Sequence, residues 1–514
     1  MKKGKLYLIG AGPGDPGLIT LKGIECIRKA DVVVYDYLAN SELLEYAKKD
    51  AELIYAGKKG GDHIYPQSQI NSIIIKKAKE GKVVARLKGG DPFMFGRGGE
   101  EAEELAASGI CFEIVPGVTS AISVPAYAGI PLTHRDFTSS VAFITGHEDP
   151  TKDESSIAWN KISTGIGTLV FLMGVKNLSQ ISKNLIENGR DPKTPIAVIR
   201  WGTLGKQNTL VGTLETIVEL ARKNNFTPPA VTVVGEVVRL RDKLNWFETK
   251  PLFGRRIIVT RARSQASEFS SLLREYGAEP IEFPTIDVKP PKSFDAMDEA
   301  IDNLERYNWL ILTSVNGVRF FFERLKVKGR DIRDLKGIRI CAIGPRTAEE
   351  IGRAGIKIDF VPEEYKAEAV LEGLKKIGIE GKNILLPRAE EAREVLPEEI
   401  RNSGGNIDVV PAYKNVKPLE DREPIKRLLK EGAINVITFT SSSTVKNFVE
   451  MFDRDELPSL IKGTTIASIG PITAETAKKL GIKTDIMPES YTIPGLTEAI
   501  VDYFLKKQLG NHRI

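Results

Sequence analysis

Short apolar runs alternate with amphipathic stretches along the whole chain. Leu6-Tyr-Leu-Ile9, Val32-Val-Val34, Val83-Val-Ala85 and Glu113-Ile-Val115 each precede a Gly- or Pro-rich turn and then a helical pattern. That order predicts an α/β fold with largely parallel strands. Between Lys243 and Arg255 the pattern lapses into Leu-Asn-Trp-Phe-Glu-Thr-Lys-Pro-Leu-Phe-Gly, after which Ile257-Ile-Val-Thr260 opens a second series. The main boundary is placed near Lys250, giving a first region at 1–249, with subdomains about 1–134 and 135–249, and a second at 250–514. A length of 514 residues, at ~150 residues per domain, agrees with three or four domains.

The second region repeats itself. Ile343-Gly-Pro-Arg-Thr-Ala-Glu349 returns as Ile469-Gly-Pro-Ile-Thr-Ala-Glu475, and Tyr365 returns as Tyr491, an offset of 126 residues. Thr313-Ser314 returns as Thr440-Ser441, Arg261-Ala262 as Arg388-Ala389 and Pro284 as Pro411, at 127. A solenoid period is ~20–50 residues, so these are two similar α/β lobes, with the cleft as the expected ligand site.

Composition narrows the classes. Hydrophobic residues make up 41% and charged residues 27%, as in a soluble globular protein. The apolar stretch through Val115–Ile130 is broken by Pro and Gly, short of the ~20 residues a membrane helix needs. Met1-Lys-Lys-Gly-Lys5 has the charge of a signal n-region, but a strand and a Gly/Pro loop follow it, so a cytoplasmic location is expected. Charge is nearly balanced, 73 Lys+Arg against 68 Asp+Glu, with no basic block of nucleic-acid type. Cys26, Cys111 and Cys341 lie far apart and read as reduced core residues. The four histidines show no ligand spacing, so no metal is expected.

Gly10-Ala-Gly12-Pro-Gly14-Asp15 follows a strand, with Asp36 ending the next strand, and so mimics a dinucleotide fingerprint. Pro13 and Pro16 remove amide donors, however, and Asp15 puts a carboxylate where a pyrophosphate would sit. Such a loop suits a cation or zwitterion. In Arg86-Leu-Lys-Gly-Gly-Asp-Pro-Phe-Met-Phe-Gly-Arg-Gly-Gly-Glu100, glycines admit close backbone approach while Asp91, Arg97 and Glu100 supply charge. Val115-Pro-Gly-Val-Thr119-Ser120 and Gly129-Ile-Pro-Leu-Thr-His-Arg135 are further strand-end loops rich in hydroxyls.

These motifs, with Ala-Gly-Lys58 and Leu-Arg-Asp-Lys-Leu-Asn-Trp-Phe247, closely resemble those of uroporphyrinogen-III C-methyltransferase from about Lys5 to Phe247. The resemblance implies a two-domain methylase fold with S-adenosylmethionine between the domains. Its contacts would be Pro13, Gly89, Gly90, Asp91, Met94, Thr119, Ser120, Met173, Gly202 and Ala230. It also implies Asp36 as proton acceptor, Lys58 as donor, Arg97 as a catalytic group, and Glu100 and Arg135 as substrate partners. A guanidinium has a pKa above ~12, so Arg97 fits an electrostatic and orienting part better than that of a base. Plainer readings stand beside these: Asp36 as a turn cap, Lys58 with Lys59 as a solvated pair.

In the second region Thr313-Ser314 and Thr440-Ser441 follow strands, as do Gly344-Pro345 and Gly470-Pro471. Hydroxyls and amides at a helix start bind anions, and they equally cap helices. Arg261, Arg263, Arg346 and Arg388 could supply forks for carboxylates. Arg-Ile-Ile-Val-Thr-Arg261, Leu-Thr-Ser-Val-Asn-Gly, Ala-Ile-Gly-Pro-Arg-Thr-Ala and Leu-Pro-Arg388-Ala resemble uroporphyrinogen-III synthase over about 254–504. That family's fold implies lobe one at about 254–285 plus 416–510 and lobe two at about 288–412, joined by two crossings. Arg261, Thr313, Ser314, Gly344, Arg388, Thr440 and Ser441 would bind substrate. Tyr413 matches the family's candidate acid for the leaving hydroxyl, although Ala-Tyr-Lys-Asn departs from its Val-Tyr-x-Thr element.

Together the two resemblances imply a bifunctional tetrapyrrole biosynthesis enzyme. It would close hydroxymethylbilane to uroporphyrinogen III with ring D inverted and methylate the product at C2 and C7 to precorrin-2, toward sirohaem or cobalamin. They also imply a homodimer through the methylase half, with no nucleic-acid or membrane partner. No third Rossmann unit is seen for oxidation or chelation. Two alternatives stay open: a methylase with a non-catalytic tetrapyrrole-binding second half, and a nicotinamide-dependent oxidoreductase in the first.

Overall fold

The computed structural model describes residues 4–57, 66–147, 156–261, 263–362, 373, 378–392, 394–416, 418 and 422–511. Two compact units divide it, Met1–Ile257 with Ser271–Pro280 and Ile500–Ile514, and Ile258–Ser270 with Ile281–Ala499. Three segments beyond the expected 249/250 boundary, 250–257, 271–280 and 500–514, cluster with the first unit.

Strands β1 (Lys5–Gly10), β2 (Val32–Tyr35), β3 (Glu52–Tyr55), β4 (Val83–Lys88) and β5 (Cys111–Val115) form a sheet in the order β3-β2-β4-β1-β5. All four strand pairings in it are parallel. Period-two alternation builds both faces. Leu6, Leu8, Val32, Val34 and Val84 pack with Ile70, Ile74 and Leu105, while Ile9, Val33, Ala85 and Leu87 pack with Ile27 and Leu43.

The next sheet comprises β6 (Val141–Thr145), β7 (Thr168–Leu172), β8 (Pro195–Arg200), β9 (Asn208–Thr213) and β10 (Ala230–Val234), ordered β6-β7-β10-β8-β9. Here the expectation of largely parallel strands fails: β10 runs antiparallel to both β7 and β8, and β8 to β9. β8 and β9 are joined by a short loop, and β10 inserts between β7 and β8 as a continuous buried run. Apolar runs read the same in either direction, so the pattern carries no sign of polarity.

The motif ending in Trp246-Phe247 is structural. Both rings lie against Tyr127, with centroids at 5.0 and 4.8 Å. Arg241 donates to the Ala128 carbonyl at 2.6 Å. A Cβ on Gly129, whose φ is +71°, would lie 2.4 Å from the Leu244 carbonyl oxygen.

The second half contributes β11 (Arg256–Val259), β12 (Glu279–Glu282), β13 (Asp287–Lys289), β14 (Trp309–Leu312), β15 (Arg339–Ala342), β16 (Asn383–Ala389), β17 (Asn406–Val416), β18 (Val436–Phe439) and β19 (Thr465–Ser468). One sheet is ordered β12-β11-β18-β19 and the other β13-β17-β16-β14-β15. β13 and the end of β17 pair antiparallel, Asp287 with Val416, directly after Pro284-Thr-Ile286 and Pro411-Ala-Tyr413, the segments expected to cross between the lobes. The internal repeat extends to hydrogen bonds. Asp359 accepts from the Ile340 amide at 2.7 Å, and Asp485 accepts from Ile466 at 2.9 Å. Ser314 and Ser441 each cap a helix, accepting from Gly317 and Thr444.

Cys26 and Cys341 are buried, but Cys111 is exposed, a correction to the reading of all three as core. Cys111 opens edge strand β5, where one side of the chain end meets solvent. Burial pushes the Cys341 thiol up to about 12 and raises that of Cys26. Alkylation of the native protein is therefore expected to give one adduct, on Cys111, and three after denaturation; peptide mapping showing native modification of Cys341 would contradict this burial.

Candidate functional site

In the first half, strand-end loops converge on a cavity of about 810 Å³, within the range of small-molecule sites. All ten residues singled out for S-adenosylmethionine line it: Pro13, Gly89, Gly90, Asp91, Met94, Thr119, Ser120, Met173, Gly202 and Ala230. Backbone strain gathers at the same place. Phe95, Met173, Trp201 and Thr203 line the cavity with φ of +52°, +57°, +50° and +70°, and non-glycine residues hold such angles at a cost of order 1–3 kcal/mol each.

The glycine loops are zipped together. Gly12 donates to the Gly90 carbonyl at 3.2 Å, and Gly90 donates back at 2.7 Å. A Cβ on Gly10 would lie 2.4 Å from the Gly117 Cα, so these backbones touch where only glycine fits. The Asp15 amide donates to Thr203 Oγ1 at 3.0 Å, and the Asp15 carboxylate accepts from Gly17 at 2.8 Å and from the Tyr127 hydroxyl at 2.7 Å. Amides that a dinucleotide pyrophosphate would need are thus absent or spent, and a carboxylate stands among them. The donor set instead fits a sulfonium zwitterion: Met94 and Met173 sulfur, loop carbonyls, and Asp91, which already accepts from Phe93 and Gly117 at 2.8 and 2.9 Å. An ionised carboxylate keeps further acceptor positions for a ligand.

Asp36 follows β2 and lines the cavity. Its Oδ1 accepts from the Leu38 and Ala39 amides at 3.1 and 3.2 Å, and its Oδ2 stands 3.5 Å from Arg86 Nη2. It is therefore a turn cap whose second oxygen faces Arg86. Lys58 lies outside the described residues. Arg97 and Glu100 do not line this cavity; they form a two-point pair at 2.9 and 2.6 Å, both more than half exposed. Arg135 is exposed and also off the cavity lining. The loop and surface groups expected to meet substrate therefore sit apart from the ten.

In the second half, Tyr413 on β17 is 8% exposed. Its ring stacks on Phe320 at 5.9 Å, and its hydroxyl is 3.1 Å from Ser314 Oγ. Burial raises its phenol above the ordinary value, partly countered by the Ser314 hydrogen bond. Thr313 and Thr440 precede the two serine caps, and Gly344 begins the helix Pro345–Arg353 with φ of +90°. Burial and neighbouring Arg346 push Arg261 down to about 10, and Arg346 forks onto Glu268 at 2.9 and 3.0 Å. Arg388, 7% exposed, pairs with Glu394. The side chain of Arg263 lies outside the described residues. Tyr413 and Ser314 are thus brought together, as are Arg261 and Arg346.

The sequence pattern did not single out Arg86, Lys88 and Glu101, a buried charged group of which Lys88 lines the cavity. The signal was two cations two residues apart within the apolar run of β4, where a buried charge demands a partner. Among the described residues no group of three or more His, Cys, Asp or Glu could hold a metal ion, and no helix is long and apolar enough to cross a membrane.

Comparison with known proteins agrees with this division. The family model for tetrapyrrole (corrin/porphyrin) methylases matches residues 5–218, and that for uroporphyrinogen-III synthase HemD matches residues 267–498. A uroporphyrinogen-III C-methyltransferase of Methanocaldococcus jannaschii is 55% identical over 240 residues, 46% of this chain and 98% of that protein. An S-adenosyl-L-methionine-dependent uroporphyrinogen III methyltransferase of Methanosarcina barkeri is 55% identical over 241 residues, 47% of this chain and 94% of that protein. The porphyrin biosynthesis protein HemD of Ruminiclostridium josui is 39% identical over 502 residues, 98% of either chain. Matched end to end by that protein, and half by half by a methylase and a synthase, the chain belongs to the family of the porphyrin biosynthesis protein HemD.

Proposed function

We propose that the two halves carry out consecutive reactions, with the residues described above in named parts. The chain is a bifunctional enzyme of tetrapyrrole biosynthesis, a uroporphyrinogen-III synthase joined to an S-adenosylmethionine-dependent uroporphyrinogen-III C-methyltransferase. The synthase half closes hydroxymethylbilane to uroporphyrinogen III with ring D inverted, and the methylase half converts that product to precorrin-2. The observation that carries the methylase reading is the gathering of all ten expected residues on one cavity.

S-adenosylmethionine supplies an electrophilic methyl group to a pyrrole carbon of the reduced macrocycle. The protein's work is alignment. Gly89, Gly90 and Gly202 admit the ligand close to backbone, Met94 and Met173 give the sulfonium a polarizable, weakly solvating wall, and Thr119 and Ser120 offer hydroxyls. After transfer the macrocycle must shed a proton, and Asp36, with Oδ2 turned from the turn it caps, accepts it. Arg97, Glu100 and Arg135 meet substrate carboxylates and ring nitrogens at the exposed side. In the synthase half Tyr413 protonates the leaving hydroxyl, while Arg261, Arg388 and the paired Thr/Ser caps hold the substrate's carboxylates. We also place the enzyme in the cytoplasm as a homodimer through its methylase half, without nucleic-acid or membrane partners, as the family resemblance implies.

Anaerobic incubation with hydroxymethylbilane, followed by isomer-resolved chromatography and mass spectrometry, tests the whole reading. Without S-adenosylmethionine the expected product is the type III isomer alone; with it, the product carries two added methyl groups, each a net gain of CH2 because a proton is lost at each transfer. Type I product without the cofactor would mean spontaneous closure and a non-catalytic second half.

A further inference from the structure

A buried charge cluster lies at the wall of the methylase cavity, which Lys88 and Asp36 both line. Alternation along β4 sets Arg86 and Lys88 on one face, 3% and 4% exposed, beside Glu101 of the helix Gly98–Ala107, which is 0% exposed. Glu101 Oε1 accepts from Lys88 Nζ at 2.6 Å and from Gln67 Nε2 at 2.8 Å. Arg86 stands between two carboxylates, its Nε 3.6 Å from Glu101 Oε1 and its Nη2 3.5 Å from Asp36 Oδ2, while its Nη1 donates to the Leu87 carbonyl at 2.9 Å. Burial and Arg86 push the Lys88 ammonium below its ordinary range, against the pull of Glu101.

Four charged groups balance to zero here, and Asp36 is the carboxylate of the two that faces the cavity. Buried ion networks are weak contributors to stability, since apolar side chains of like volume often serve as well or better. Their placement at the wall of a site is better explained by what they do to the group at its surface.

We propose that Arg86, Lys88 and Glu101 are positioning residues for methyl transfer: Arg86 holds the Asp36 carboxylate toward the cavity, and the Lys88–Glu101 pair fixes Arg86 and sets the net charge presented to it. This rests on the reading of Asp36 as proton acceptor. Among the described residues, the Tyr55 phenol also faces Asp36, with Tyr35 and Tyr37 beside it. Arg86 is the cation that stands against Asp36, and Lys88 and Glu101 set the charge behind it.

The test is the pH profile of single-turnover methyl transfer from labelled S-adenosylmethionine to uroporphyrinogen III, using the full chain. An opposite charge nearby favours the ionised form of a carboxyl. Arg86→Met is expected to move the acid limb upward, and Arg86→Lys, which keeps the cation, to restore most of it. Glu101→Gln, nearly isosteric and still an acceptor for Lys88, is expected to move the limb downward. The double variant Arg86→Met/Glu101→Gln returns it toward the wild type. Packing damage alone would lower the plateau without moving limbs in opposite directions. If Asp36→Asn is inactive while both limbs stay in place, the positioning inference falls alone. Should Asp36→Asn keep wild-type turnover, the base reading falls and this inference with it. If Arg86→Met does not fold, the downward shift in Glu101→Gln decides by itself.

Discussion

Asp36→Asn is expected to slow methyl transfer by about 10²–10⁴-fold, the span usual for loss of a general base, while S-adenosylmethionine still binds. The substitution separates the two jobs that the structure gives this residue. As a turn cap, Asp36 uses Oδ1 to accept from the Leu38 and Ala39 amides, and an asparagine carbonyl oxygen accepts them equally well. As a proton acceptor it uses the oxygen near Arg86, which an amide cannot replace, because an amide has negligible basicity and donates a hydrogen bond there. The loop should keep its shape, and calorimetric titration with S-adenosylmethionine should show near wild-type affinity. Unchanged turnover would reduce Asp36 to the cap alone.

How much of this was legible before the fold was known depends on what each residue's role requires. Gly10 could be picked out because close backbone contact excludes a Cβ, and Gly12 and Gly90 because their φ of +80° and +70° favours glycine, constraints that leave glycine in the sequence. Met173 and Trp201 carry no such mark. Their left-handed backbone is imposed by the loops around them, and only the family resemblance named the first. The strands themselves followed from the apolar runs, but the direction of β10 did not, since buried runs are apolar whichever way they point. Glu101 sits in the run Glu100-Glu101-Ala-Glu-Glu, where nothing local separates the one carboxylate that is fully buried from the exposed ones. Arg97 and Glu100 were visible as charges among glycines, yet their engagement with each other depends on the turn into the helix they begin. In the second half, sequence repetition extended to matched serine caps and matched aspartate–amide bonds. A duplicated cap stabilises each lobe by the same physics, so the symmetry explains the fold more directly than the chemistry.

Chemistry in that half is better sought where the symmetry breaks, and Tyr413 is such a position: the chain two residues past Pro411 has tyrosine where its counterpart after Pro284 has isoleucine, Ile286. Tyr413→Phe is expected to cut the rate of type III closure by up to about 10²–10⁴-fold, the effect of removing a general acid, and to let type I product accumulate from spontaneous closure. Stability should fall by only about 0.5–1.5 kcal/mol, the net worth of one hydrogen bond, because the ring's stacking on Phe320 survives. Ser314 keeps its bond from the Gly317 amide at 3.0 Å, so the helix cap survives as well. The raised phenol leaves Tyr413 protonated over the whole neutral range, the state an acid must hold before it donates. Ser314→Ala provides the contrast: it removes both the cap, costing ~1 kcal/mol, and the hydroxyl beside Tyr413, yet leaves the acid in place. Rapid-quench isomer analysis of the two variants distinguishes the roles. A Tyr413→Phe enzyme with wild-type rate and type III yield would make the residue a packing group, whereas loss in Tyr413→Phe far exceeding that in Ser314→Ala would identify the phenol itself as the proton source.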